Sequence, residues 1–255
     1  MSKRGQVTIF IIISILVVAS ILLFFAFRED NKESQSTTEP WETETKKSSI
    51  KSQVSFCIND AGASSIYFIS QYGGTFPPKE PQFRGIPYYS YENRLTLPEI
   101  STIESDLGDY FEGAFMNCMS ESNFSGEIPD KKDVKAKTKI FDDRVDFDVT
   151  YPINITEKGQ ARILEDFSSS IPIKLGEIYK ISKFIANQHV GDNRQNLCLT
   201  CLERETSGTG LDIQSFSGPQ NNSELYVIID ERAIGAREIP VSEDEPLRYM
   251  LGVKY

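Results

Sequence analysis

The chain holds one histidine and one tryptophan in 255 residues, and only four cysteines. A single histidine excludes His-Glu-x-x-His zinc chemistry, and no Gly-x-Ser-x-Gly elbow is present, so the common hydrolase signatures are missing. The sequence is also poor in positive charge. Residues 1–27 contain two of the 27 basic residues and none of the 37 acidic ones, which leaves residues 28–255 with a formal charge of −12. That balance argues against nucleic acid and anionic lipid as partners. Long apolar runs are absent with one exception. Val7 to Phe27 has 21 residues with no charge, no proline and no glycine. As a helix it is about 31 Å long, close to the roughly 30 Å hydrocarbon core of a bilayer.

Val7–Phe27 therefore predicts a transmembrane helix and a cell-membrane location. Lys3 and Arg4 precede it, and Arg28 and Lys32 follow among acidic residues. The basic counts balance, so the positive-inside rule favours neither side. A short basic start before a long apolar run has the form of a signal-anchor, which puts residues 1–6 in the cytoplasm and residues 28–255 outside. A cleaved secretory signal is the alternative, but its apolar region is normally 7–15 residues ending in small residues. Residues 28–47 (REDNKESQSTTEPWETETKK) have Trp41 as their one large apolar residue. Such a stretch buries too little surface to offset its ordering entropy and reads as a disordered tether.

Residues 48–255 predict one α+β extracytoplasmic domain of about three helices and an antiparallel sheet. Between Ser48 and Tyr72, apolar residues including Ile50, Val54, Cys57, Ile58, Ala61, Phe68 and Ile69 recur at steps of three and four, the spacing of one helical face. Gly73-Gly74 ends that helix. Residues 75–98 hold five prolines and read as an extended crossing loop. Thr96 and Glu99 form a capping-box pattern for a second helix, whose apolar face runs from Ile100 to Cys118. Period two then takes over. Val134–Ile140 and Val145–Tyr151 predict a β-hairpin with a Lys row opposite an Asp row, and Ala161–Ile173 a third strand. A metal site at Asp142, Asp143, Asp146 and Asp148 is the sharper reading, but the Asp-x-Asp-x-Asp-Gly calcium loop is missing. Gly176–Val190 predicts a third helix with His189 near its end as a capping or surface residue. Four further strands are expected over 211–216, 224–230, 237–241 and 247–255.

Cys57, Cys118, Cys198 and Cys201 suit an oxidising compartment, and four thiols permit three pairings. Cys57 and Cys118 fall on the apolar faces of two successive helices, so Cys57–Cys118 and Cys198–Cys201 are the expected bridges. The short Cys198–Cys201 link is expected to shape a helix start. A four-cysteine zinc site is the rival, and it normally draws on two Cys-x-x-Cys knuckles where this chain has one. Asn123, Asn154 and Asn221 each begin an Asn-x-Ser/Thr sequon. Asn221, in a Gly-Pro-rich turn, is expected to be the most accessible acceptor. No cofactor is called for.

Lys3-Arg4-Gly5-Gln6 resembles the class III, prepilin-type signals of archaea. The resemblance implies cleavage between Gly5 and Gln6 with the apolar helix retained. Many pilins carry Glu five positions into the mature chain, where this sequence has Phe10. The start Gly5–Phe10, Gly73-Gly74 and the Cys198–Cys201 motif are together similar to a group of membrane-anchored archaeal surface proteins. That resemblance implies a tethered surface protein and brings no assigned activity. Three functions follow as expectations. The first is a non-enzymatic, single-pass surface or envelope protein for interaction or structure, with protein partners at the cell surface. The second is a pilin-like filament subunit. The third is a thiol oxidoreductase built on Cys198 and Cys201, against which Glu203 and Glu205 stand close by.

Overall fold

Helix α1 (Trp41–Gln71) is the longest element of the computed structural model, which describes residues 41–122, 134–157, 160–191, 197–236 and 246–255. It begins seven residues earlier than the apolar spacing predicts, inside the stretch read as tether. Glu, Thr and Lys between Trp41 and Lys47 are compatible with a helix, and adding residues to an existing helix is far easier than nucleating one. The Gly-Gly stop is as expected. Gly74 N–H donates to Ile69 O at 2.8 Å and Gly73 N–H to Ser70 O at 3.2 Å, with Gly73 at φ +61°. These are the two bonds of a Schellman cap, which places its first glycine in the left-handed region.

The Pro-rich loop corrects the sequence reading. It contains β1 (Gln82–Phe83), β2 (Ile86–Tyr91) and β3 (Arg94–Leu95), and β2 enters a sheet. Thr96 does not cap the second helix. Its hydroxyl donates to Tyr88 O, and α2 (Ile100–Glu121) starts from Glu99 with no side-chain cap. β4 (Lys135–Ile140), β5 (Val145–Glu157) and β6 (Gln160–Ile171) form a three-stranded antiparallel sheet. Lys137 lies opposite Asp148 and Lys139 opposite Asp146, the expected charge pairing. After α3 (Leu175–Gln188) and α4 (Leu199–Thr206) come β7 (Asp212–Ser217), β8 (Ser223–Asp230), a 3₁₀ turn (Glu231–Ala236) and β9 (Leu247–Lys254). These complete a six-stranded sheet in the order β1-β2-β9-β8-β7, with β3 also on β2. That sheet is mixed: β9 runs parallel to β2 and antiparallel to β8. The strand expected over 237–241 lies outside the described residues.

Among the described residues the architecture is thus α+β with four helices and two sheets, and Thr43–Tyr255 is one compact unit. Both sheets and α1–α3 share a single buried cluster. Phe111 of α2 stacks on Phe147 of β5 at 4.8 Å, and Phe115 meets Tyr151 edge-on at 5.1 Å. Gly62 lets α1 approach the small sheet, since a Cβ there would overlap Ile171 and Phe147. Tyr67 of α1 donates to Ala233 O at 3.0 Å, which ties the same helix to the 3₁₀ turn that follows β8. The open edge of β4 is covered by α2. Glu112 accepts from Ala136 N–H at 3.1 Å and Glu104 from Ile140 N–H at 3.0 Å. Two carboxylates two turns apart thereby satisfy edge donors that would otherwise invite another strand. Among the described residues no helix is long and apolar enough to cross a membrane; Val7–Phe27 lies outside them.

Candidate functional site

Two disulfides form in the expected pairing, Cys57–Cys118 from the helical faces and Cys198–Cys201 from its short spacing. Cys57 of α1 joins Cys118 of α2 with a Cα–Cα distance of 5.5 Å, and Cys198 joins Cys201 at 5.2 Å. No free cysteine remains. The pairs differ in setting. Cys57 is wholly buried and its partner is partly so, between two packed helices. Cys198 and Cys201 are both partly exposed at the start of α4, beside Leu199, which is 71% exposed.

The local geometry of the second pair follows from its spacing. Cys198 is the N-cap of α4, and its Sγ accepts from Cys201 N–H at 3.3 Å. Its carbonyl accepts from Leu202 N–H at 2.9 Å, and the Thr200 hydroxyl lies 3.7 Å from the sulfur. Sulfur here takes the place of the Ser or Asp oxygen that usually caps a helix. The helix is held elsewhere by Leu202, which is buried, and by a C-terminal turn in which Thr209 N–H donates to Thr206 O at 3.0 Å.

Three of the four acidic residues that suggested a metal are engaged by basic side chains. Asp142 pairs with Lys180 at 2.6 Å, and Asp143 and Asp146 with Arg144 at 3.3 Å each. Asp148 lies opposite Lys137. No group of three or more potential ligands gathers among the described residues. His189 is the clearest departure from the sequence reading. It is the C-cap of α3 but is only 1% exposed. Its Nε2 lies 3.1 Å from Tyr226 Oη, whose hydrogen goes to Glu224, so the Nε2–H tautomer donates to the tyrosine. Tyr255 donates to the other Glu224 oxygen at 3.1 Å and stacks on the His189 ring. The histidine thus fastens α3 to the end of β9 and the start of β8. Its sequence signal was weak: a histidine ending an apolar helical face, with partners more than 30 residues away.

Of the sequon asparagines, Asn154 is exposed on β5 and Asn221 exposed in the β7–β8 turn. Asn123, Gly5 and Gln6 lie outside the described residues. An aromatic cluster was only half anticipated. Phe68 of α1 stacks on Tyr110 of α2 at 4.2 Å, with Tyr72 and Phe76 against it. Phe76 is partly exposed and meets Tyr110 edge-on, and Tyr110 lines a cavity of about 350 Å³ along α2 with Asp109, Gly113, Ala114 and Asn117. No family model, curated protein or solved structure matches this chain.

Proposed function

We propose that this chain is a single-pass membrane protein, anchored by Val7–Phe27 with its N-terminus in the cytoplasm and residues 48–255 outside. There it serves as a non-enzymatic surface or envelope module that interacts with other proteins. The observation that carries the reading is the pairing of an uncharged 21-residue run with a domain whose four cysteines are all bridged. Disulfides persist in oxidising compartments, and the apolar run gives the domain a route to one. The acidic surface keeps such a domain off anionic headgroups. Protease added to intact cells is expected to digest residues 48–255 while the anchor stays protected. Protection of the domain until lysis would refute the orientation.

A pilin-like subunit is the second reading, and the early start of α1 favours it. Helix from Trp41 onward leaves 13 residues, 28–40, between the apolar run and the start of the domain helix, fewer than the 20 that a start at Ser48 would leave. A mature N-terminus at Gln6 together with filaments visible by electron microscopy would establish it. An intact Met1 terminus on membrane-extracted protein would remove it.

A further inference from the structure

We propose that Cys198–Cys201 is a thiol–disulfide exchange site that takes dithiols of partner proteins, whereas Cys57–Cys118 is a structural bond. Four observations place the chemistry here. Cys198 and Cys201 are both partly exposed, and Leu199, next to Cys198 in the chain, is strongly exposed. An apolar side chain at the reacting bond suits a partner peptide whose cysteines have apolar neighbours. The Cys198 sulfur sits at the helix start and already accepts a backbone N–H at 3.3 Å. When the bond opens, that N–H and the positive end of the helix stabilise a thiolate on Cys198 and lower its pKa. Glu203 and Glu205 oppose this, but they lie in the following turn and are exposed, where water and salt screen them. Finally, α4 stays in place without the bond. Leu202 remains buried, the Leu202 N–H to Cys198 O bond is independent of sulfur, and Arg232 and Lys174 both donate to Thr209 O just past the helix.

A partner thiolate attacks Cys201 Sγ, the Cys198–Cys201 bond breaks, and its electron pair leaves on Cys198 Sγ. The lower-pKa thiol is the faster leaving group, which selects Cys198 for that role. The partner's second thiol loses its proton and attacks the partner sulfur of the mixed disulfide, releasing Cys201 as a thiolate. The two protons given up by the partner end on Cys198 and Cys201. The partner dithiol is oxidised to a disulfide, and this cystine is reduced to two thiols. The exchange is stoichiometric, one partner dithiol per cystine with no turnover, so it adds a covalent contact to the non-enzymatic interaction module proposed above. It draws on the outward placement only for where the partner is met, and its test uses purified protein, so the two proposals fail separately.

The test is a redox titration of the full-length chain in detergent. Glutathione buffers of increasing reducing strength are applied, free thiols are blocked with N-ethylmaleimide, and peptides are mapped by mass. Cys198 and Cys201 are expected to become labelled in buffers at least tenfold less reducing than those that open Cys57–Cys118. In the selectively reduced chain, iodoacetamide is expected to alkylate Cys198 with a pH midpoint about one unit below the ordinary thiol value of roughly 8.5. Opening of Cys198–Cys201 together with or after Cys57–Cys118 overturns the proposal. So does a Cys198 midpoint at or above the ordinary value, which is what a merely structural bond would give.

Discussion

Replacing Cys57 and Cys118 together by alanine removes the one covalent link between α1 and α2. The bond joins residues 61 apart. On the chain-entropy account, closing a loop of that length restrains the unfolded chain by an amount worth roughly 4 kcal/mol at 25 °C. Cys57 is also wholly buried against α2, so losing its sulfur removes packing worth about 1 kcal/mol more. The sum is about 5 kcal/mol. For a folded unit spanning Thr43–Tyr255, each kcal/mol moves the melting temperature by about 2–4 °C, which predicts a fall of roughly 10–20 °C. The assay is a circular-dichroism melt of the full chain in detergent, with refolding checked on cooling. The matched control is Cys198→Ala with Cys201→Ala. That bond spans three residues, worth about 1.6 kcal/mol on the same account, and α4 keeps its buried Leu202, so the control is expected to melt only about 3–6 °C below the parent. The reasoning is refuted if the Cys57/Cys118 variant melts as close to the parent as the control does, or if the control loses as much.

Three further outcomes follow from the packing. Glu104→Ala strips the acceptor from Ile140 N–H and is expected to cost about 1–3 kcal/mol in urea unfolding, against 0–1 kcal/mol for Lys139→Ala at the exposed end of the same ion pair; equal losses would show that the ion pair, not the edge cap, carries the effect. Gly176→Ala places a Cβ 2.7 Å from Phe141 C and 2.9 Å from Asp142 N, backbone atoms with no room to retreat, so about 1–3 kcal/mol should be lost; unchanged stability in urea would mean that α3 does not dock on the hairpin turn as described. Alkaline pH should unfold the domain. Burial pushes the Tyr151 phenol up to about 12, and burial likewise raises Tyr89, Tyr226 and Tyr249. The fold therefore disfavours their ionised forms: the stability they confer is complete below the ordinary value near 10 and is lost as pH rises from there through 12. Phenolate absorbance for these residues should rise in step with loss of ellipticity; complete tyrosine ionisation with the fold intact would contradict it.

The candidate site was legible in the sequence to an unusual depth because its members are near in sequence or lie on readable helical faces. Cys198 and Cys201 are a local pair. Cys57 and Cys118 each sit on an apolar stripe, and two stripes joined by one connection pack on each other. His189 was not legible, since Tyr226 and Tyr255, which meet its ring, come from β8 and the last residue of the chain. The Glu104 and Glu112 caps were also missed. On the sequence they are two acidic residues of an amphipathic helix, and only the placement of α2 along the β4 edge gives them backbone donors. Thr96 was misread for a related reason: the capping-box pattern was present, but its hydroxyl found the Tyr88 carbonyl first.

The sequence by itself determined the uncharged run, the faces of α1, α2 and α3, the Gly73-Gly74 stop and the Lys-against-Asp hairpin. All of these depend on periods of 3.6 or 2, or on short turns, and a period is a property of consecutive residues. The tertiary structure alone decided that β2, buried in a proline-rich stretch, runs parallel to β9, with Tyr88 opposite Gly252. It also decided that the six-stranded sheet is mixed and that His189 is buried. Those features depend on which distant backbone donors and apolar faces meet when the core closes, and nothing in the residues surrounding Tyr88 or His189 specifies a partner that is supplied by the other end of the chain.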